Sequence, residues 1–268
     1  MTASRSSTTG AVEATEREVW ARLARVTDPE LDEPVTELGF VDWVRIEADG
    51  AVALGFRLPT YWCAANFAFM MADDMRLAVA ALPWVSAVRL TLDAHMYAEA
   101  VNRAMQTGMS FKEAFGAEAS DEELAQVRRR FAVKSFQRRQ GALLGHLLVA
   151  GHDPKALLRL SVAALGTVAG TDHGRALVAR YLERRDVPGP AGPGALAFVD
   201  EDGAAIAPGQ LPERLRLLRR VAVNTEFNGA LCRGLLASRY GEEDRTGAAE
   251  PTLLDFIRAV PKADAMRD

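Results

Sequence analysis

Residues 51–58 (AVALGFRL) place apolar side chains at every second position: Val52, Leu54, Phe56 and Leu58. Only an extended chain puts alternate residues on one face, so this run is a half-buried strand. Phe40 to Ile46, with Phe40, Trp43, Val44 and Ile46, reads as a second strand, and Ala48-Asp49-Gly50 between them has turn chemistry. The two runs predict a hairpin. The period then changes. From Asn66 to Leu82 the apolar residues Phe67, Met70, Met71, Met75, Leu77, Val79 and Leu82 read as a helix, and Pro83 stops it. Val85 to Leu92 alternates again, and Ala11 to Val26 is a helix ended by Asp28-Pro29. The order is helix, hairpin, helix, strand.

After Leu92 the pattern is almost wholly helical. Helices are expected over Met96–Thr107, Ser110–Phe115, Asp121–Ala150, Lys155–Val168, His173–Arg185, Pro212–Tyr240 and Thr252–Val260. Ser120 with Glu123 has the spacing of a capping box. Pro188 to Gly194 is a loop, and Ala195 to Val199 is one short strand before the turn Asp200-Glu201-Asp202-Gly203. The fold class is therefore α+β: a small N-terminal α/β module followed by a mostly α-helical C-terminal domain. The expected boundaries are a disordered tail over 1–10, the α/β domain over 11–95 and the helical domain over 96–268.

With 268 residues the chain can bury a sizeable core. A net charge of -4 argues against nucleic acid or a membrane surface as partner, because phosphate contacts need clustered excess Lys and Arg. The Ser/Thr-rich start lacks the apolar stretch of a secretory signal, and no apolar run reaches the roughly 18–20 residues of a membrane helix. The expected compartment is the cytoplasm, where Cys63 and Cys232 stay reduced thiols.

Asp28-Pro29-Glu30-Leu31, Val35-Thr36-Glu37-Leu38-Gly39-Phe40-Val41 and Leu58-Pro59-Thr60-Tyr61-Trp62-Cys63 carry a resemblance. With the element order, they resemble the iron–sulfur cluster assembly domain of the SufT/PaaD type over about residues 12–100. The resemblance implies that Cys63 is the functional cysteine. The family's usual Gly-Cys-Pro is Trp62-Cys63-Ala64 here, which changes the loop around the thiol. The combination of that loop with Asn224 to Arg233 (NTEFNGALCR) resembles accessory proteins of propane-type binuclear-iron monooxygenases.

Cys63 lies between a strand end and a helix start, where orphan N–H groups stabilise a thiolate and lower its pKa. The bland alternative is a buried apolar cysteine. If the strands at 51–58 and 85–92 are parallel, their C-terminal ends share one sheet edge, bringing Asp93 and His95 towards Cys63. Thiolate, carboxylate and imidazole are ligands for iron or zinc; otherwise His95 caps a helix or lies on the surface. Asn224, Asn228 and Cys232 share a helix face with Glu226 on the other side, so Cys232 either completes the site or is a buried small residue. The metal-ligand candidates are thus Cys63, Asp93, His95 and Cys232. Asp73 and Asp74 read as a solvated helix face, and His146, His152 and His173 as structural. The run Arg128-Arg129-Arg130, Lys134, Arg138-Arg139 is a solvated face or a docking surface for an acidic protein.

No GxSxG, P-loop, GxGxxG, HExxH or Glu-x-x-His pattern is present, so no independent enzyme is expected. These readings converge on a maturation factor holding iron or an iron–sulfur cluster transiently through Cys63. Its client would be the hydroxylase of a binuclear-iron monooxygenase, and a homodimer is compatible with it. The rival is a metal-free folding or scaffolding chaperone; a weaker third option is a thiol enzyme using Cys63 as nucleophile.

Overall fold

The computed structural model describes residues 15–116 and 119–241. The tail over 1–10, the start of the first helix and the helix expected over Thr252–Val260 lie outside the described residues. Helix α1 covers residues 15–23 and buries Val19 and Leu23. Strands β1 (Val41–Ile46) and β2 (Ala51–Phe56) form the hairpin; α2 (Ala65–Ala80) crosses over to β3 (Ala87–Leu92). β2 is central, antiparallel to β1 and parallel to β3, with Val52 opposite Val88 and Phe56 opposite Leu92.

The central position of β2 explains one departure from strict alternation. Ala51 and Gly55 are buried as well as Val52, Leu54 and Phe56. The Trp43 indole of β1 lies over Gly55, where a Cβ would come within 2.2 Å of it. A glycine inside a strand here makes room for a cross-strand aromatic ring.

The helical part comprises α3 (Ala98–Thr107), α4 (Phe111–Phe115), α5 (Asp121–Val149), α6 (Pro154–Leu157), α7 (Leu165–Val168), α8 (Asp172–Leu182) and α9 (Leu211–Tyr240). Ser110 makes a full capping box with Glu113, and the Ser120 hydroxyl accepts from the Glu123 N–H. The single helix expected over 155–168 is broken. The Val162 and Ala163 N–H groups donate to Ala195 and Pro193 carbonyls (both 2.9 Å), so the Pro/Gly-rich loop takes donors a helix would have used. The strand expected over 195–199 reduces to isolated bridges, Ser161 with Leu196 and Val199 with Ala205.

Two cores result. The first joins Val19, Leu54, Phe56, Met71, Met75, Leu90 and Leu92 with Val101 and Met105 of α3, Ala114 of α4 and Leu236 of α9. The second gathers Phe136, Leu143, Leu147, Tyr181, Phe198 and Leu218. α9 thus reaches both, with Leu218 in one and Leu236 in the other. In the second core Gln140 is fully buried, donating to the Val199 carbonyl (2.8 Å) and accepting from Arg214 (3.1 Å).

Buried ion pairing ties the 28–34 loop to the helices. Arg139 donates to both Asp32 oxygens at 2.7 Å and to Glu183 at 2.6 Å, and Asp32 and Arg139 are both buried. Asp32 has φ 52°, a left-handed conformation that Asp tolerates better than most residues.

Candidate functional site

Parallel pairing of β2 with β3 sends the two following loops to one edge of the sheet. The Met96 N–H donates to the Tyr61 carbonyl at 2.9 Å, joining the Cys63 loop to the loop after β3. Arg239 of α9 completes the junction, donating to the Leu58 carbonyl at 3.1 Å and to the Ala94 carbonyl. Cys63 lies in this junction, one residue before the α2 cap at Ala64. Its side chain and that of Cys232 both pack against the first core.

The Asp28-Pro29-Glu30 turn supplies the acids. Asp28 Oδ1 accepts from the Glu30 and Leu31 N–H groups, each at 2.8 Å. The carboxyl is nevertheless pushed up to about 6, first by burial, with the Glu30 and Glu33 charges adding and the two N–H bonds opposing. α9 holds this turn from outside: Asn228 donates to Glu30 at 3.1 Å and Arg233 to Glu33 at 2.8 Å.

The thiols respond to the same surroundings. Cys63 is pushed up to about 12, first by burial, then by the fields of Asp28 and Cys232; an Ala64 N–H bond opposes this. Cys232 is pushed up to about 11, by burial first and then by Asp28 and Glu30. The expectation of a lowered Cys63 pKa is therefore overturned. The helix start is present, but desolvation and nearby carboxylates outweigh it.

His95 is buried beside this loop. Its Nδ1 accepts from the Tyr97 N–H at 3.2 Å, while Nε2 is buried with no hydrogen-bond partner among the described residues. Its pKa is lowered, chiefly by burial and also by Arg239, with the Cys63 backbone pulling the other way. Asp93 is exposed, and its N–H donates to the Phe56 carbonyl at 3.0 Å. Asn224 is exposed too, so the stripe of Asn224, Asn228 and Cys232 does not converge as a unit.

The Asp28 charge thus reaches both Cys63 and Cys232, both of which pack against the first core, while His95 feels the Cys63 backbone and Asp93 lies exposed. Among the described residues no three His, Cys, Asp or Glu side chains are arranged to hold a metal ion. The set Cys63, Asp93, His95 and Cys232 is not assembled as a ligand cage: Asp93 faces water and His95 Nδ1 is engaged. Asp28 is the acid that sequence reasoning missed. Its signal was the Asp-Pro-Glu motif, which marks the turn but does not reveal burial against a thiol. The donors fit iron in kind: the Asp28 carboxylate raises both thiols and Cys232 adds to the rise at Cys63, and a cation bound at Cys63 would reverse that shift.

The basic run on α5 is largely consumed inside the molecule. Arg128 holds both Asp74 oxygens (2.8 and 2.7 Å), Arg129 pairs with Glu122, and Arg138 donates to the Leu31 carbonyl. Asp74 is accordingly a packing contact between α2 and α5, its pKa raised by burial against the opposing pull of Arg128. His146 and His173 meet ring to ring, centroids 5.3 Å apart.

Residues 16–90 match the family model of the iron–sulfur cluster assembly proteins. The matched stretch contains Asp28, Glu30 and Cys63, stops short of Asp93 and His95, and excludes Cys232. It supports an iron–sulfur assembly domain in the N-terminal module. No curated protein matches the chain. No helix among the described residues is long and apolar enough to cross a membrane.

Proposed function

We propose that the protein is a maturation factor that takes up iron, or an iron–sulfur unit, as cargo at Cys63 and passes it to a client. The observation that carries this reading is that the family-matched module presents Cys63 at a strand-to-helix junction within electrostatic reach of the buried Asp28 and of Cys232. Cys63 would be the primary ligand, with Cys232 and Asp28 close enough to feel its charge but not arranged with it as a three-ligand group, so a cation would be bound without being enclosed. That suits delivery, since a closed tetrahedral cage retains its metal. In the apo state the raised pKa values keep Cys63 and Cys232 protonated and inert to oxidants, and cargo binding displaces those protons.

The factor has no turnover of its own on this reading, and it works in the cytoplasm, where thiols stay reduced. Its client is proposed to be a binuclear-iron monooxygenase hydroxylase. Support for that client is the pairing of the Cys63 loop with the Asn224–Arg233 stretch in one chain.

Anaerobic titration with Fe(II), or Co(II) as a coloured stand-in, tests the reading. Wild type should show thiolate-to-metal absorption with proton release, and Cys63→Ser and Asp28→Asn should weaken binding by about 10–100-fold. Indistinguishable titrations of wild type and Cys63→Ser would overturn it. The second reading, a metal-free scaffold, is favoured by the lack of a three-ligand group among the described residues. It predicts that co-expressed Cys63→Ser still yields active client.

A further inference from the structure

α9 is 30 residues long and uses one face for both cores. Its other face is apolar and bare. Val223, Phe227, Leu231 and Leu235 are 54%, 62%, 52% and 38% exposed. They recur every fourth residue, so they form one stripe about 18 Å long at ~1.5 Å per residue. Soluble proteins rarely leave such a contiguous patch open unless something binds it. The stripe runs into the Cys63 junction, because Cys232 lies between Leu231 and Leu235 in sequence and Arg239 anchors the helix to the Leu58 and Ala94 carbonyls. There Trp62, Tyr61 and Met96 are 71%, 52% and 48% exposed. Aromatics, Met and Arg are the residues enriched at protein interfaces.

The other end of the stripe is basic. Arg216, Arg219 and Arg220 precede Val223 and line an open recess with Glu213 and Asn224. Arg219 and Arg220 have no hydrogen bond or ion pair among the described residues, and Arg216 donates only to the Pro212 carbonyl of its own helix. Of the α5 arginines, Arg128, Arg129, Arg138 and Arg139 are spent on internal partners, whereas here two adjacent uncommitted arginines, Arg219 and Arg220, adjoin the apolar stripe on the same helix.

We propose that the outward face of α9, with Tyr61, Trp62 and Met96, docks an amphipathic helix of a partner protein whose apolar face is flanked by acidic residues. A narrow apolar stripe of period four suits helix-on-helix packing, and the arginine end fixes the orientation of an acidic partner. The proposal goes beyond the metal reading and does not need it, so its test is run without metal.

The probe is a fluorescein-labelled helical peptide of roughly 20 residues, with Leu at heptad core positions and Glu on the flanks, added to the full chain and read by anisotropy. Expected is binding in the micromolar range, weakened at least about tenfold by Lys in place of Glu, and lost in Phe227→Asp and Leu231→Asp. Arg219→Glu with Arg220→Glu should cost about tenfold and flatten the salt dependence. These side chains are exposed, so unchanged thermal melts certify the variants' folds. Equal binding of the Lys peptide, or undiminished binding by Phe227→Asp, overturns the proposal. So does a wild-type dimer by light scattering that Phe227→Asp makes monomeric, which would assign the face to a second copy. Binding at least about tenfold tighter to a chain ending at Gly241 would assign it to residues 242–268 and equally overturn it.

Discussion

At Asp28 two backbone N–H groups hold one carboxylate oxygen, yet burial wins and the group titrates near neutrality. Its pKa rises from 3.8 to about 6, so the folded state holds the proton more tightly than the unfolded state. The stability this confers is present below pH ~4 and is lost as pH rises through about 6. A rise of that size corresponds to about 3 kcal/mol. Asn keeps the Oδ1 acceptor and removes the charge. Asp28→Asn should therefore raise stability at pH 7 by about 1–3 kcal/mol, and denaturant titrations should show a flatter profile between pH ~4 and ~6. His95 acts in the opposite sense. Its pKa is lowered mainly by burial, so its protonation opposes folding as pH falls below about 6.5. At Cys63 the strand-to-helix position was legible in the sequence, because Pro59 and the change of period are local signals. Thiol acidity was not, because it depends on Asp28 and Cys232, brought in by other elements. Alkylation of Cys63 by iodoacetamide at pH 7 should be at least about tenfold slower than that of glutathione, read by mass spectrometry.

The elements of the α/β module were readable because period and breakers lie within a few residues of each other. Even the parallel pairing of β2 with β3 follows from a helical crossover. The break between α6 and α7 was not readable, since its cause is a carbonyl-rich loop some 30 residues downstream. The fate of the α5 arginines was equally hidden: Arg138 and Arg139 are paired with residues 105–107 positions away. Arg139 is the central member. Removing it strands the buried Asp32 carboxylate, so Arg139→Ala should cost about 3–5 kcal/mol in a denaturant titration. Gly174 of α8 makes a second test of packing. A Cβ there would sit 1.9 Å from the Ala169 carbonyl oxygen, so Gly174→Ala should destabilise by about 1–3 kcal/mol.

On the scale of the whole molecule, α9 is the organising piece. It contributes Leu218 to one core and Leu236 to the other, Asn228 and Arg233 to the acidic turn, Cys232 to the electrostatic surroundings of Cys63, and an exposed stripe to the outside. The sequence showed a helix there with an unusual Asn/Asn/Cys face. Its other face is not legible in the sequence, because an outward apolar residue cannot be told from an inward one before the neighbouring helices are placed. On the proposed reading the cargo site and the docking face adjoin one another, as delivery to a bound client would require. A carrier role for this junction requires Cys63 and Cys232 to ligate the same metal. X-ray absorption at the iron edge, on protein loaded anaerobically with Fe(II) and no sulfide, measures this. Two sulfur neighbours at roughly 2.3 Å, falling to one in Cys63→Ser and one in Cys232→Ser, are the predicted result. Oxygen and nitrogen neighbours alone, unchanged in both variants, would contradict it.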